Sequence, residues 1–72
     1  MPMTHKTWAG NIPLLDDYGN RIDGEFYDAK SKEGPWALMN PVSYAIHGIG
    51  VGQGLGQHYK RDDAGEYVKT EG

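Results

Sequence analysis

The chain has no cysteine, which excludes a disulfide staple, a thiolate zinc site and a cysteine nucleophile together. It has no apolar run approaching a membrane span, and its opening residues lack the apolar core of a secretory signal. Basic residues are also scarce: seven Lys and Arg against ten Asp and Glu, a net charge of −3. Duplex binding usually needs a basic face that releases counterions from phosphates, so this balance argues against nucleic acid as the main partner. Three histidines, His5, His47 and His58, stand far apart without metal-ligand spacing. Serine, threonine and tyrosine hydroxyls have no His-Asp context. The expectation is an intracellular, membrane-free protein that is not an enzyme and needs no cofactor or metal.

What remains is one small domain over residues 1–72, with residues 1–10 expected to be flexible. A domain of this size buries only roughly 60% of its unfolded surface, so its core must come from large side chains. Trp8, Phe26, Trp36 and the tyrosines supply them. Residues 25–30 and 35–39 read as strands around the polar turn Ser31-Lys32-Glu33-Gly34, with Pro35 tolerated at a strand start. Residues 57–61 and 66–70 read as a second hairpin around Asp62-Asp63-Ala64-Gly65. A three-residue loop, Asp63-Ala64-Gly65, would put Tyr59 and Tyr67 on one face, and it explains the glycine at 65. Between the hairpins, Asn40 suits a helix N-cap and Pro41 the first helical position. Gly48 suits a left-handed residue after the last turn. Val42, Ala45, Ile46 and Ile49 fall at helix-face spacing and should pin the helix to the sheet. The class is α+β, mostly β, with two β-hairpins and one short helix, no internal repeat and no low-complexity tail.

Glycines at 48, 50, 52, 54 and 56 invite a phosphate-loop reading, but the spacing fails it. Three residues past Gly50 and Gly52 stand Gln53 and Leu55, no glycine precedes a lysine, and the helix comes before the tract. Spacing of two instead gives an extended segment with one bare face, on which Trp36 or Tyr44 can lie. His47 suits the negative end of the helix dipole, His58 an exposed strand position, and His5 a tail. Asp16, Asp17, Asp62 and Asp63 fit solvated turns, as turn aspartates generally do. Tyr59-Lys60-Arg61 could form a small basic-aromatic patch, which keeps a single-stranded nucleic-acid-binding protein as the alternative.

The N-terminal stretch is denser in apolar residues than its turn-rich character requires. Trp8, Ile12, Leu14, Leu15 and Tyr18 can close the core or anchor a protein partner, and in so short a chain some must do the first. With Lys6, Thr7 and Asn11 they form the candidate protein-binding surface.

Asp23-Gly24-Glu25-Phe26-Tyr27-Asp28-Ala29-Lys30, Gly34-Pro35-Trp36-Ala37-Leu38-Met39 and the tract from Gly48 to Lys60 resemble a family of small phage and prophage proteins. Within it, the chain is similar to the small RNA-polymerase-binding transcription regulators of lytic bacteriophages. Some relatives carry Cys-x-x-Cys at the helix start, where this chain has Asn40 and Ser43. That pattern resembles a treble clef (knuckle, hairpin, helix), here without metal and with Asn40 capping the Ser43 amide instead. The resemblance implies a monomer in the host cytoplasm that binds the N-terminal region of the largest subunit of host RNA polymerase. Transcription inhibition by sigma displacement, antitermination and host takeover by protein–protein interaction follow as expectations. No binding residue carries over by motif.

Overall fold

The aromatic-rich stretches form β1 (Glu25–Lys30) with β2 (Trp36–Met39), and β3 (Gly56–Arg61) with β4 (Tyr67–Glu71). The computed structural model describes Thr7, Trp8 and residues 10–72. β1 also pairs antiparallel with β3, merging the hairpins into one four-stranded sheet of order β2-β1-β3-β4. The helix α1 (Pro41–His47) carries the chain from β2 to β3. The expected class, α+β and mostly β, is the one observed.

In the second hairpin Arg61 stands opposite Tyr67, and the Asp62 amide donates to the Glu66 carbonyl at 2.7 Å. Asp63-Ala64-Gly65 is therefore the loop, and Tyr59 and Tyr67 share a face. They pack on Phe26 between them, each ring centroid 5.1 Å from it. The first hairpin turns more tightly than its four-residue polar stretch suggested. The Ser31 amide donates to the Pro35 carbonyl, which leaves only Lys32-Glu33-Gly34 as the loop. Pro35 has no N–H to return, and the Gly34 amide serves the Ser31 carbonyl at 3.0 Å instead.

The sheet buries a small core on each face. On one, Phe26, Tyr59 and Ile22 lie under Trp8 and Ile12, with the Trp8 ring edge-on to Phe26 and Tyr59 at 5.2 and 5.4 Å. Thr7 bridges Val68, and the Trp8 amide donates to the Tyr67 carbonyl at 2.9 Å. Within the segment 1–10 expected to be flexible, Thr7 and Trp8 are bonded to β4. His5 and Lys6 lie outside the described residues.

On the other face Ala29, Ala37 and Met39 lie with Tyr18, Tyr27 and Tyr44. Here α1 begins as expected, the Asn40 side chain accepting the Ser43 amide at 2.8 Å with Pro41 next. Its orientation is the reverse of the expected one. Val42 and Ile46 are 60% and 57% exposed, Ala45 and Ile49 also face outward, and Ser43 is fully buried. The cause lies beneath the helix, where Tyr27 is stacked between Tyr44 and His58, with centroids 3.7 and 4.2 Å away. Ring stacking and a buried hydroxyl turn the helix, leaving its apolar side uncovered.

Gly48 is extended (φ −74°, ψ 154°), so the left-handed cap expected of it is absent. It must be glycine because a Cβ there would collide with the Tyr44 ring. Tyr44 is thus the ring that uses the bare backbone, while Trp36 sits half-exposed on the edge strand.

One short turn occurs twice. Asp16-Asp17-Tyr18-Gly19 and Asp62-Asp63-Ala64-Gly65 fold into the same turn. The first precedes the β1–β2 hairpin and meets the start of α1.

Candidate protein-binding surface

Asp16 organises the surface around the start of α1. It was expected in solvent, yet it is only 6% exposed. Oδ1 accepts the Tyr18 and Asn20 amides at 2.9 Å each, and Oδ2 accepts the Asn40 amide at 2.7 Å and the Ser43 hydroxyl at 2.6 Å. Asn20 donates to the Ser43 hydroxyl oxygen at 2.6 Å, and the Asn40 side-chain amide donates to the Arg21 carbonyl at 3.1 Å. Burial pushes the Asp16 carboxyl up, but the hydrogen bonds from Ser43, Asn40, Asn20 and Tyr18 together hold it below the ordinary aspartate value. An ionised carboxylate thus links the turn to the start of the helix.

This clasp also fixes the segment entering it. Leu15 bridges Arg21 and the Leu14 carbonyl accepts the Ile22 amide at 2.9 Å, yet both leucine side chains point away, 65% and 51% exposed. The segment that carries Leu14 and Leu15 is therefore hydrogen-bonded, through Asp16, to the helix that carries Val42 and Ile46. No described element covers any of the four.

The sequence-derived residues separate into three places. Thr7, Trp8, Asn11 and Ile12 line one cleft of about 290 Å³ with Gly65, Glu66 and Tyr67, although Trp8 and Ile12 mainly serve the core. Leu14 and Leu15 protrude. Tyr18 faces elsewhere, stacked on His47 at 3.9 Å. Lys6 lies outside the described residues. Val42, Ile46 and Ile49 were assigned to the core by their spacing; their exposure has no local sequence signal, because helical periodicity marks a face without saying what it meets.

His47 stands in the last turn of α1 as expected, but His58 is not the exposed strand residue expected of it. His58 is buried, with Nε2 2.6 Å from Glu25 and Nδ1 3.4 Å from Glu71. His47 finds a partner remote in sequence, Nδ1 standing 3.2 Å from a Glu33 oxygen, while the Tyr18 hydroxyl donates to the other Glu33 oxygen at 3.3 Å. The His47 contact is the main cause holding the Glu33 carboxyl below its ordinary value. Among the described residues no group of three or more His, Asp or Glu side chains could hold a metal ion. No helix there is long and apolar enough to cross a membrane. The basic-aromatic patch is broken as well: Tyr59 lies in the core and Arg61 approaches Asp23 at 3.6 Å.

No family model, curated protein or solved structure matches the chain.

Proposed function

We propose that this is a bacteriophage protein that binds host RNA polymerase in the bacterial cytoplasm. It contacts the N-terminal region of the largest subunit, displaces sigma to inhibit initiation, and acts as an antiterminator. The identity of the partner comes from the sequence resemblance carried by Gly34-Pro35-Trp36 and the glycine tract. The observation that supports a protein-binding role is the exposure of Leu14, Leu15, Val42 and Ile46 on the two segments that the Asp16 clasp joins. Small domains rarely leave several large aliphatic side chains beside one hydrogen-bonded joint in water unless another surface covers them. No turnover is involved: the protein acts by occupying its partner.

Binding to purified polymerase core and holoenzyme tests this directly. Wild-type protein is expected to be retained by core enzyme, to release sigma and to suppress promoter-specific transcription. Leu14→Ala and Ile46→Ala, both at exposed positions, should each weaken retention about tenfold, the loss typical of one well-buried contact residue. Wild-type protein that is not retained ends the reading. Binding of single-stranded oligonucleotides would require a stacking platform other than Tyr59, whose ring the core occupies.

A further inference from the structure

At the opposite end of the first hairpin, the free edge of β2 borders a groove of about 330 Å³. This is near the lower end of the size of ligand-binding pockets, roughly 300–1,000 Å³. Trp36, Pro35 and Tyr18 form its apolar lining, and Asp17 and Glu33 contribute carboxylates. The exposure of Trp36, 51%, has no structural explanation within the fold.

We infer that this groove receives an arginine side chain of a protein partner, its guanidinium against Trp36 and Tyr18 and within reach of Asp17 and Glu33. Charge complementarity selects the occupant. No lysine or arginine lines the groove, and both carboxylates are already oriented by the protein. One Asp17 oxygen accepts the Leu38 amide at 2.7 Å, and Glu33 is held by the Tyr18 hydroxyl and His47. Side chains fixed before binding lose little freedom when a cation arrives. A planar guanidinium satisfies both kinds of wall at once: it stacks on an indole and forks to a carboxylate, whereas an ammonium offers only a point charge. The same charge rejects a nucleic-acid backbone.

The inference deepens the proposed protein-binding role and rests on it, yet the groove can be tested separately. Acetyl-Gly-Arg-Gly-amide titrated into the whole protein should shift the Trp36 indole resonance and leave that of Trp8 in place. The lysine counterpart should shift it less and the glutamate counterpart not at all. Asp17→Asn keeps an acceptor for the Leu38 amide while removing the charge, and should weaken the arginine response severalfold; Trp36→Ala, which lacks that resonance, should abolish the heat of peptide binding in a calorimetric titration. For polymerase, Trp36→Ala and Asp17→Asn should each lower affinity about tenfold at low salt. Polymerase binding unchanged in both variants overturns the inference but leaves the proposed function standing. An arginine-specific shift in a protein that polymerase does not retain ends the polymerase reading and supports the groove. Equal responses to arginine and glutamate peptides, or none to either, overturn the groove.

Discussion

In the turn over residues 16–20, and again over residues 62–66, one aspartate oxygen accepts the amides two and four residues ahead, each at 2.9 Å. The aspartate amide donates to the carbonyl four residues on at 2.7 Å in both, and the glycine amide returns to the aspartate carbonyl at 3.1 and 3.0 Å. Gly19 and Gly65 adopt φ of +84° and +83°. Around Asp62 the turn merely closes an exposed hairpin. Around Asp16 the second oxygen reaches the start of α1, and the same local device becomes a tertiary joint. Local chemistry decides the shape of the turn; what meets its spare lone pairs decides its importance.

The contrast breaks most sharply at the aspartates. Asp16→Ala should cost about 3 kcal/mol, because it leaves the Asn40 amide and the Ser43 hydroxyl facing a void as well as opening the turn. Asp62→Ala loses only exposed turn bonds and should cost about 0.5–1 kcal/mol. Urea unfolding of both variants measures the difference. Similar losses would mean that the contact to α1 adds nothing to stability.

That asymmetry could not be read from the sequence, where both quartets are Asp-Asp-x-Gly. The partners of the spare Asp16 oxygen are 24 and 27 residues away. The second hairpin was legible because its register follows from Gly65 and the shared face of Tyr59 and Tyr67, all local. The helix was legible at Asn40 and Pro41 for the same reason. Its inward face was not, since nothing between Pro41 and His47 reveals that Tyr27, itself stacked on His58, waits below to stack with Tyr44. Of the candidate surface, Leu14 and Leu15 were named from composition and are exposed; Trp8 and Ile12 were named beside them and serve the core. Composition marks apolar residues without deciding which the core consumes.

Acid sharpens the comparison next. The Asp16 carboxyl titrates below its ordinary value in the folded state, so the stability it contributes is complete above the unfolded pKa, about 3.9. It is lost as pH falls from there through the folded value. Unfolding free energies measured between pH 6 and pH 2 should therefore decline at the acid end. Asp16→Asn, less stable at neutral pH, should lack this share of the decline. An identical acid limb in both proteins would remove Asp16 from the account.

The glycines should behave alike where the aspartates do not. Each has a positive φ with open space beside it, so alanine meets backbone strain and no collision. Gly19→Ala and Gly65→Ala should each cost about 1–2 kcal/mol. Agreement between the two costs would show that the turns share a backbone energy despite their different surroundings. A much larger loss at Gly19 would show that even the turn's internal strain is transmitted to α1.

The smallest test lies at the fourth residue after each aspartate. Asn20 and Glu66 use their backbones identically, but only Asn20 sends its side chain across, donating to the Ser43 hydroxyl. Asn20→Ala should cost about 1 kcal/mol, the typical contribution of one neutral hydrogen bond. Glu66→Ala should change stability by under about 0.5 kcal/mol, as exposed substitutions usually do. Combining Asn20→Ala with Ser43→Ala should cost less than the sum of the single losses, because both variants remove the same bond. Strict additivity would place the Asn20 side chain outside the clasp and leave Asp16 alone to join turn to helix.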